Sequence, residues 1–161
     1  MIRSLLTCCV IAMLLCLPAR AAWMGPQGGQ IPPNALVAGQ GSNGQPLYVC
    51  RAQYGEGIYP GTLAGASTDC SISYDGSEQK LPDYEVLVDE GYSWVSTYNG
   101  EIPFDALPVG AEKQDDIVYI CRGEVDSQWR PGKIRHANSA CLVSYRGKEL
   151  KAPWYEVLVG N

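Results

Sequence analysis

The sequence has a single histidine, His136, among its 161 residues, and it has few basic residues. One histidine leaves no His-rich zinc site and no His-paired serine or cysteine that both halves of the chain could share. The chain carries 12 lysine and arginine residues against 17 aspartate and glutamate residues. Because an acidic surface repels phosphate backbones and anionic lipid, nucleic acid and electrostatic membrane docking are not expected.

One apolar run is long enough to suggest targeting, and it lies at the start of the chain. It covers the 13 residues 5–17, follows Arg3 and precedes Ala19-Arg20-Ala21. A membrane helix needs about 20 apolar residues, whereas a signal peptide needs fewer and ends in small residues. We therefore predict a signal peptide over residues 1–21, a secreted, extracellular protein without an integral membrane segment, and a mature formal charge of about −7.

The sequence contains a tandem repeat. Residues 46–52, PLYVCRA, return as residues 117–123, IVYICRG, at an offset of 71 residues. The same offset aligns YEVLV at 84–88 with YEVLV at 155–159, without a gap. Such self-similarity indicates duplication of one folding unit, which we place at residues 22–90 and 91–161. A unit of about 70 residues buries little surface, so we expect the halves to pack together or to carry covalent links.

Strand signals dominate both repeats. Short apolar segments separated by turn residues recur every 8 to 15 residues, and no window of a dozen residues has a helical stripe. Asn43-Gly44 predicts a hairpin turn, and Tyr59-Pro60-Gly61 predicts another turn. The sequence thus predicts an all-β fold in which two β units pack as one compact, pseudo-symmetric domain.

Four cysteines remain after the predicted signal peptide: Cys50, Cys70, Cys121 and Cys141. An even number of cysteines in an exported chain is typical of disulfides. The repeat favours Cys50 with Cys70 and Cys121 with Cys141, although the sequence also allows pairs between repeats. Free buried thiols or a zinc site would also account for four cysteines, but their spacing does not favour metal. We predict no metal and no cofactor.

Several motifs occur in a fixed order: a Tyr-hydrophobe-X-Arg strand, a Pro-Gly-Lys segment, a Tyr-X-Gly turn and a closing Tyr-Glu-Val-Leu strand. Together they resemble the DM9 repeat family. The resemblance covers essentially the whole mature chain and implies a β-rich protein built from two DM9 units. Characterised relatives are mannose-type glycan-binding lectins and recognition proteins of invertebrate innate immunity. The resemblance therefore implies glycans on cell or microbial surfaces as partners.

The repeats differ at the Pro-Gly-Lys motif, where residues 131–133 keep the lysine and residues 60–62 end in threonine. A sugar hydroxyl both donates and accepts hydrogen bonds, so a lectin site needs a donor and an acceptor. Lys133 can donate, Glu112 or Asp115 can accept, and the ring of Trp129 can stack on a pyranose. We predict one carbohydrate site in the second repeat from these four residues, and a degraded first repeat.

Each of these residues also has an ordinary interpretation. Lys133 is equally well explained as a solvated lysine after a turn. Trp129 is also well explained as a packing residue. The alternative function is therefore a secreted structural or protein-interaction module that binds no sugar. Catalysis has little support in the sequence, and we do not predict an enzyme. Because a single lectin pocket binds weakly, we expect a homodimer or larger assembly to supply avidity.

Overall fold

Fourteen β-strands join into one antiparallel sheet, and the described part of the chain contains no helix. The computed structural model describes residues 21–26, 30–113 and 115–160. The predicted signal peptide lies outside these ranges except at Ala21. Within them, no helical segment has the length and apolar character required to cross a bilayer. The all-β prediction is confirmed.

Each repeat supplies seven strands at equivalent positions. The first seven are β1 Trp23–Met24, β2 Val37–Gln40, β3 Pro46–Tyr54, β4 Gly57–Ala64, β5 Cys70–Tyr74, β6 Ser77–Leu81 and β7 Glu85–Leu87. The second seven are β8 Ser93–Tyr98, β9 Pro108–Ala111, β10 Ile117–Val125, β11 Gln128–Ile134, β12 Cys141–Tyr145, β13 Lys148–Ala152 and β14 Trp154–Val159. Buried residues alternate with less buried ones in β3 and β10 on either side of a central pair in which both residues are buried, Val49-Cys50 and Ile120-Cys121. These neighbours point to opposite faces of the sheet, so both faces of each strand are covered at its centre.

The strand order is the same when read from either end of the sheet. It runs β1-β7-β3-β4-β5-β6 and then β13-β12-β11-β10-β14-β8, with β2 paired to β3 and β9 to β10. The repeats meet where β6 lies beside β13. There Glu78 N donates to Gly147 O at 3.1 Å, and Glu149 N donates to Gly76 O at 3.0 Å. These two bonds are equivalent under the repeat offset, so the domain has the predicted pseudo-twofold symmetry.

The hydrophobic core has a shared centre and one cluster in each repeat. Every buried residue of the shared centre has its repeat equivalent in the same cluster. The four pairs are Leu36 with Leu107, Ala38 with Val109, Val49 with Ile120, and Leu87 with Leu158. Since apolar burial is the main favourable term in folding, this shared centre makes the two units one domain.

A disulfide lies in the separate core cluster of each repeat. Cys50 is bonded to Cys70 and Cys121 to Cys141, and the Cα atoms are 6.0 Å apart in both pairs. All four cysteines are fully buried. The pairing favoured by the repeat is the one observed, and each bridge links strands of a single repeat.

The predicted turn at Tyr59-Pro60-Gly61 is wrong, because these residues lie inside β4. Proline has no N–H group to donate to a neighbouring strand. Pro60 is tolerated in β4 because only Gly61 and Thr62 of this strand pair with β5. Gly61 is required by crowding. A Cβ atom at this position would lie 2.2 Å from the carbonyl oxygen of Ser71.

Two equivalent arginines cross from one repeat to the other. Arg122 on β10 donates through Nη1 to the carbonyl oxygen of Ala38 at 3.1 Å. Arg51 on β3 donates to the carbonyl oxygen of Val109 at 3.4 Å. Both guanidinium groups also stack on a tryptophan of their own repeat, Trp94 for Arg122 and Trp23 for Arg51. The arginines therefore have a structural role that both repeats share.

Candidate functional site

Lys133, on β11, lies at the boundary between the two repeats. Its Nζ atom is 3.5 Å from Oε2 of Glu149 on β13. From the other repeat, the ring centroids of Tyr59 and Tyr74 lie 4.9 Å and 5.6 Å from the same nitrogen. Lys133 is only 2% exposed. The sequence thus places a buried cation against a carboxylate of one repeat and two aromatic rings of the other.

Burial and nearby charges both shift the pKa values of groups in this cluster. Burial lowers the pKa of Lys133, while the carboxylates of Glu149 and Glu112 act to raise it. Burial and then the Glu112 carboxylate raise the pKa of Tyr59 to about 12. The faces of aromatic rings attract cations, so both tyrosines offset part of the cost of burying the ammonium.

Glu112 reaches the cluster from the loop between β9 and β10. Its Oε2 atom contacts Nη1 of Arg135, which also forms an ion pair with Asp116. Arg135 lies close enough to Lys133 to act against its protonation. Glu112 therefore contributes to the charge around the lysine, as the sequence predicts, but its direct partner is Arg135.

Two carboxylate oxygens in the cluster are buried against cations. Oε2 of Glu112 contacts Nη1 of Arg135, and Oε2 of Glu149 is 3.5 Å from Nζ of Lys133. A carboxylate accepts hydrogen bonds at about four positions, so a hydroxyl donor can share these groups with the cations.

The other two predicted site residues lie apart from the lysine. Asp115 occupies an exposed position with a φ of 69° in the hairpin turn, and its neighbour Asp116 is the residue that contacts Arg135. Trp129 lies four residues before Lys133 on β11, a separation of about 13 Å in an extended strand. The structure brings Lys133 and Glu112 together and does not place Asp115 or Trp129 against the ammonium.

Trp129 lines a groove between the two repeats, with a volume of about 790 Å³. The ring of Trp129 packs against the guanidinium of Arg122 at 5.2 Å from its centroid. Gly39 permits this arrangement, since a Cβ atom there would lie 1.8 Å from the carbonyl oxygen of Trp129. The polar side chains of the groove are those of Gln40, Ser42, Arg122, Ser127 and Gln128.

The predicted site did not include Tyr59, Tyr74, Arg135 or Glu149. The tyrosines belong to the first repeat, so a search within the second repeat could not find them. A usable signal exists for Arg135, because its equivalent in the first repeat is Ala64. Positions where the repeats differ strongly in size or charge therefore locate the cluster better than any single motif.

The first repeat provides an internal comparison for the cluster. It forms the same strands with Gly41, Thr62 and Ala64 at the positions of Glu112, Lys133 and Arg135. Its glutamate, Glu78, accepts a hydrogen bond from Gly147 N at 2.8 Å. The fold can therefore be built without a buried lysine at this position. The charged cluster is a property of the second repeat and is not a requirement of the architecture.

Two equivalent β units joined edge to edge through β6 and β13 define a tandem-repeat β protein. The family model of the DM9 repeat matches residues 12–81 and again residues 66–152, so the chain belongs to the DM9 repeat family. The two matches overlap, and the repeat boundaries at 22–90 and 91–161 stay a prediction.

The fold also occurs in a solved structure. The chain is similar to the nematode sperm cell motility protein MFP2B, with a TM-score of 0.56 and 13% sequence identity over 88% of this chain. The chain covers 46% of that protein, or about half its length. A comparison with curated proteins gave no match. At this level of identity the likeness establishes the fold alone.

Proposed function

We propose that the protein is a secreted, non-catalytic, lectin-like recognition protein that binds mannose-type glycans through the cluster around Lys133. The observation that carries this proposal is that the second repeat buries a lysine near Glu112, whereas the first repeat folds with Thr62 and Gly41 at these positions. Buried ion pairs contribute little net stability, so a cluster that the fold does not need is better explained by ligand binding.

The chemistry of the cluster matches that of a sugar hydroxyl, which both donates and accepts. The Lys133 ammonium is a donor. The carboxylates of Glu112 and Glu149 are acceptors that a sugar hydroxyl would share with the neighbouring cations. The half-buried ring of Tyr74 also lies next to these polar groups. The preference for mannose comes from the DM9 resemblance, and Asp115 and Trp129 stay predicted contributors.

Access to the ammonium requires a rearrangement in this proposal. Lys133 is buried, while the side chain of Arg135 is held by Glu112 and Asp116 and is 19% exposed. A sugar hydroxyl that donates to Glu112 would compete with Arg135 for the same oxygen. We expect Arg135 to shift on binding and the Lys133 side chain to stay in place.

Replacing Lys133 with threonine should lower the affinity for mannose at least about tenfold, because it removes a charged hydrogen bond donor. Threonine is the residue of the first repeat, so the fold should be retained. The measurement is capture on mannose-agarose together with a glycan array. The exposed Lys151, changed to alanine, is the matched control and should bind as the wild type. Unchanged capture by the Lys133→Thr variant would reject this site.

Secretion is part of the same proposal. Its supports are the signal-like sequence over residues 1–21 and the two buried disulfides, which are typical of proteins folded in an oxidising compartment. A recognition role in innate immunity, with glycans on cell or microbial surfaces as partners, follows from the family resemblance.

A protein-interaction role is the second candidate, and an exposed apolar edge favours it. Strand β8 pairs with β14 on one side and ends the sheet on the other. Exposed large side chains on or near this edge are Val95, Tyr98, Phe104 and Trp154. Exposed strand edges with apolar side chains favour pairing with another chain. The occupant we propose is a second copy of this chain, which would also supply avidity.

Changing Trp154 to glutamate should shift a dimer to monomer, because it places a charge in the apolar contact. The solution mass from light scattering during gel filtration measures the effect. Val37, an exposed apolar residue on β2, is the control when changed to glutamate. A wild-type protein that stays monomeric at high concentration would eliminate the dimer.

A further inference from the structure

The first repeat contains an open concavity at the position where the second repeat holds its lysine cluster. Its volume is about 270 Å³. Thr62 and Glu78 line it, and they are the repeat equivalents of Lys133 and Glu149. The concavity and the cluster are therefore related by the pseudo-twofold symmetry of the domain.

Small residues explain why this concavity is open. Thr62 takes the place of Lys133, and Ala64 takes the place of Arg135. The volume that the lysine and arginine side chains fill in the second repeat is left free in the first. The Thr62 side chain is held in the wall, since its hydroxyl donates to the carbonyl oxygen of Pro131 at 3.0 Å.

Arg130 supplies a cation from the opposite repeat. It stands at the position equivalent to Tyr59, and its guanidinium lies 4.3 Å from the ring centroid of Tyr145. Nη2 donates to Gln128 Oε1 at 3.3 Å. The Nε atom is buried and has no hydrogen bond partner among the described residues. Arg130 lines the concavity, and a guanidinium can bind a carboxylate strongly through two parallel hydrogen bonds.

The walls of the concavity are more polar than those of its counterpart. Asp69 and Ser71 line it, where the second repeat has Ala140 and Leu142. Ser144 lines it too, and its hydroxyl donates to Ser71 O at 2.9 Å. These side chains offer oxygen acceptors to hydroxyl groups of a ligand.

The charges around the concavity favour an anion within an acidic chain. Arg130, Arg146 and Lys80 line it together with the acidic residues Asp69 and Glu78, which leaves an excess of one positive charge. Glu78 is already engaged, because its Oε2 atom accepts from Gly147 N.

We propose that this concavity is a second binding site, specific for an acidic saccharide whose carboxylate pairs with Arg130 and whose hydroxyls bond to the serine-lined wall. That the ligand is a sugar rests on the function proposed above. The binding of a carboxylate by Arg130 does not depend on that proposed function. The first repeat, which the sequence suggested was degraded, would thus have changed its ligand.

The test compares glucuronate with glucose. The two sugars differ only at C6, where glucuronate has a carboxylate and glucose has a hydroxymethyl group. Titration calorimetry of the purified protein should give binding of glucuronate at least about tenfold tighter than that of glucose, because a charged hydrogen bond is involved. Arg130→Gln should remove this preference. Lys151→Gln is the matched control and should retain it, because Lys151 is exposed and does not line the concavity.

A second variant tests the space itself. Ala64→Arg introduces the residue of the second repeat and should close the concavity, with loss of glucuronate binding and an unchanged melting temperature. Equal binding of glucuronate and glucose, or undiminished glucuronate binding by folded Arg130→Gln, would overturn the proposal. Acetate and phosphate competing as strongly as glucuronate would also overturn it, because the site would then recognise charge alone.

The two binding proposals can fail separately. Lys133→Thr should lose mannose capture and keep glucuronate binding, whereas Arg130→Gln should do the reverse. If the wild-type protein binds glucuronate but is not captured on mannose-agarose, the Lys133 site alone is rejected. Absence of glucuronate binding in a protein that still captures mannose would reject the acidic-saccharide site alone.

Discussion

Replacing Cys121 and Cys141 together with alanine is expected to lower the free energy of unfolding by about 3 kcal/mol. The bridge closes a loop with a sequence separation of 20 residues, and it restricts the unfolded chain accordingly. Because both sulfur atoms are buried, alanine avoids the cost of placing a serine hydroxyl in the core. Urea denaturation followed by circular dichroism measures the change.

The equivalent pair, Cys50 and Cys70, provides the matched comparison, because its loop has the same length and the same burial. The same replacement there should cost a similar amount. Removing both bridges would then cost about 6 kcal/mol, which is comparable to the whole stability of many small domains. A loss below about 1 kcal/mol per bridge would mean that the loops are already restricted in the unfolded chain.

Changing Arg122 to methionine should lower the free energy of unfolding by about 2 kcal/mol, because it leaves a partly buried carboxylate without its partner. The guanidinium Nε donates to Glu156 Oε2 at 2.6 Å. The same group stacks on Trp94 at 4.5 Å and reaches Ala38 O in the other repeat. The variant therefore loses packing within one repeat and a contact between the repeats, and chemical denaturation measures both together.

Arg51→Met is the control at the equivalent position, and its cost should be nearer 1 kcal/mol. The partner of Arg51, Glu85, has a side chain that is 43% exposed, against 18% for Glu156. Water replaces a lost partner more readily at the exposed glutamate. A double-mutant cycle of Arg122→Met with Glu156→Gln isolates the pair, and equal losses at the two arginines would contradict this explanation.

The repeated sequence predicted the fold well because the repeat constrains both local and long-range structure. The repeat favoured the disulfide pairing that is observed, although it left pairs between the repeats open, and the strand periods indicated the all-β class. Pro60-Gly61 was misread as a turn. Local propensity could not reveal that Ser71 O lies too close for a side chain at Gly61, since that contact depends on the pairing of β4 with β5.

The candidate site could be predicted only in part. Lys133 and Glu112 emerged from comparing one repeat with the other, and the structure places both in one electrostatic cluster. Tyr59 and Tyr74 reach Lys133 across the pseudo-twofold axis, which an alignment of the repeats cannot represent. The alignment of the repeats shows that Arg130 stands at the position of Tyr59. It does not show which residues of the other repeat each of these side chains faces.

The junction of β6 with β13 has the geometry of a dimer contact contained in one polypeptide. Two reciprocal hydrogen bonds between Gly76, Glu78, Gly147 and Glu149 are what an isologous pairing of identical chains would make. Fusion into one chain frees the two copies from having to stay alike. Each former subunit can then change the residues that face the other, so that one covalent molecule presents two chemically distinct faces to its surroundings.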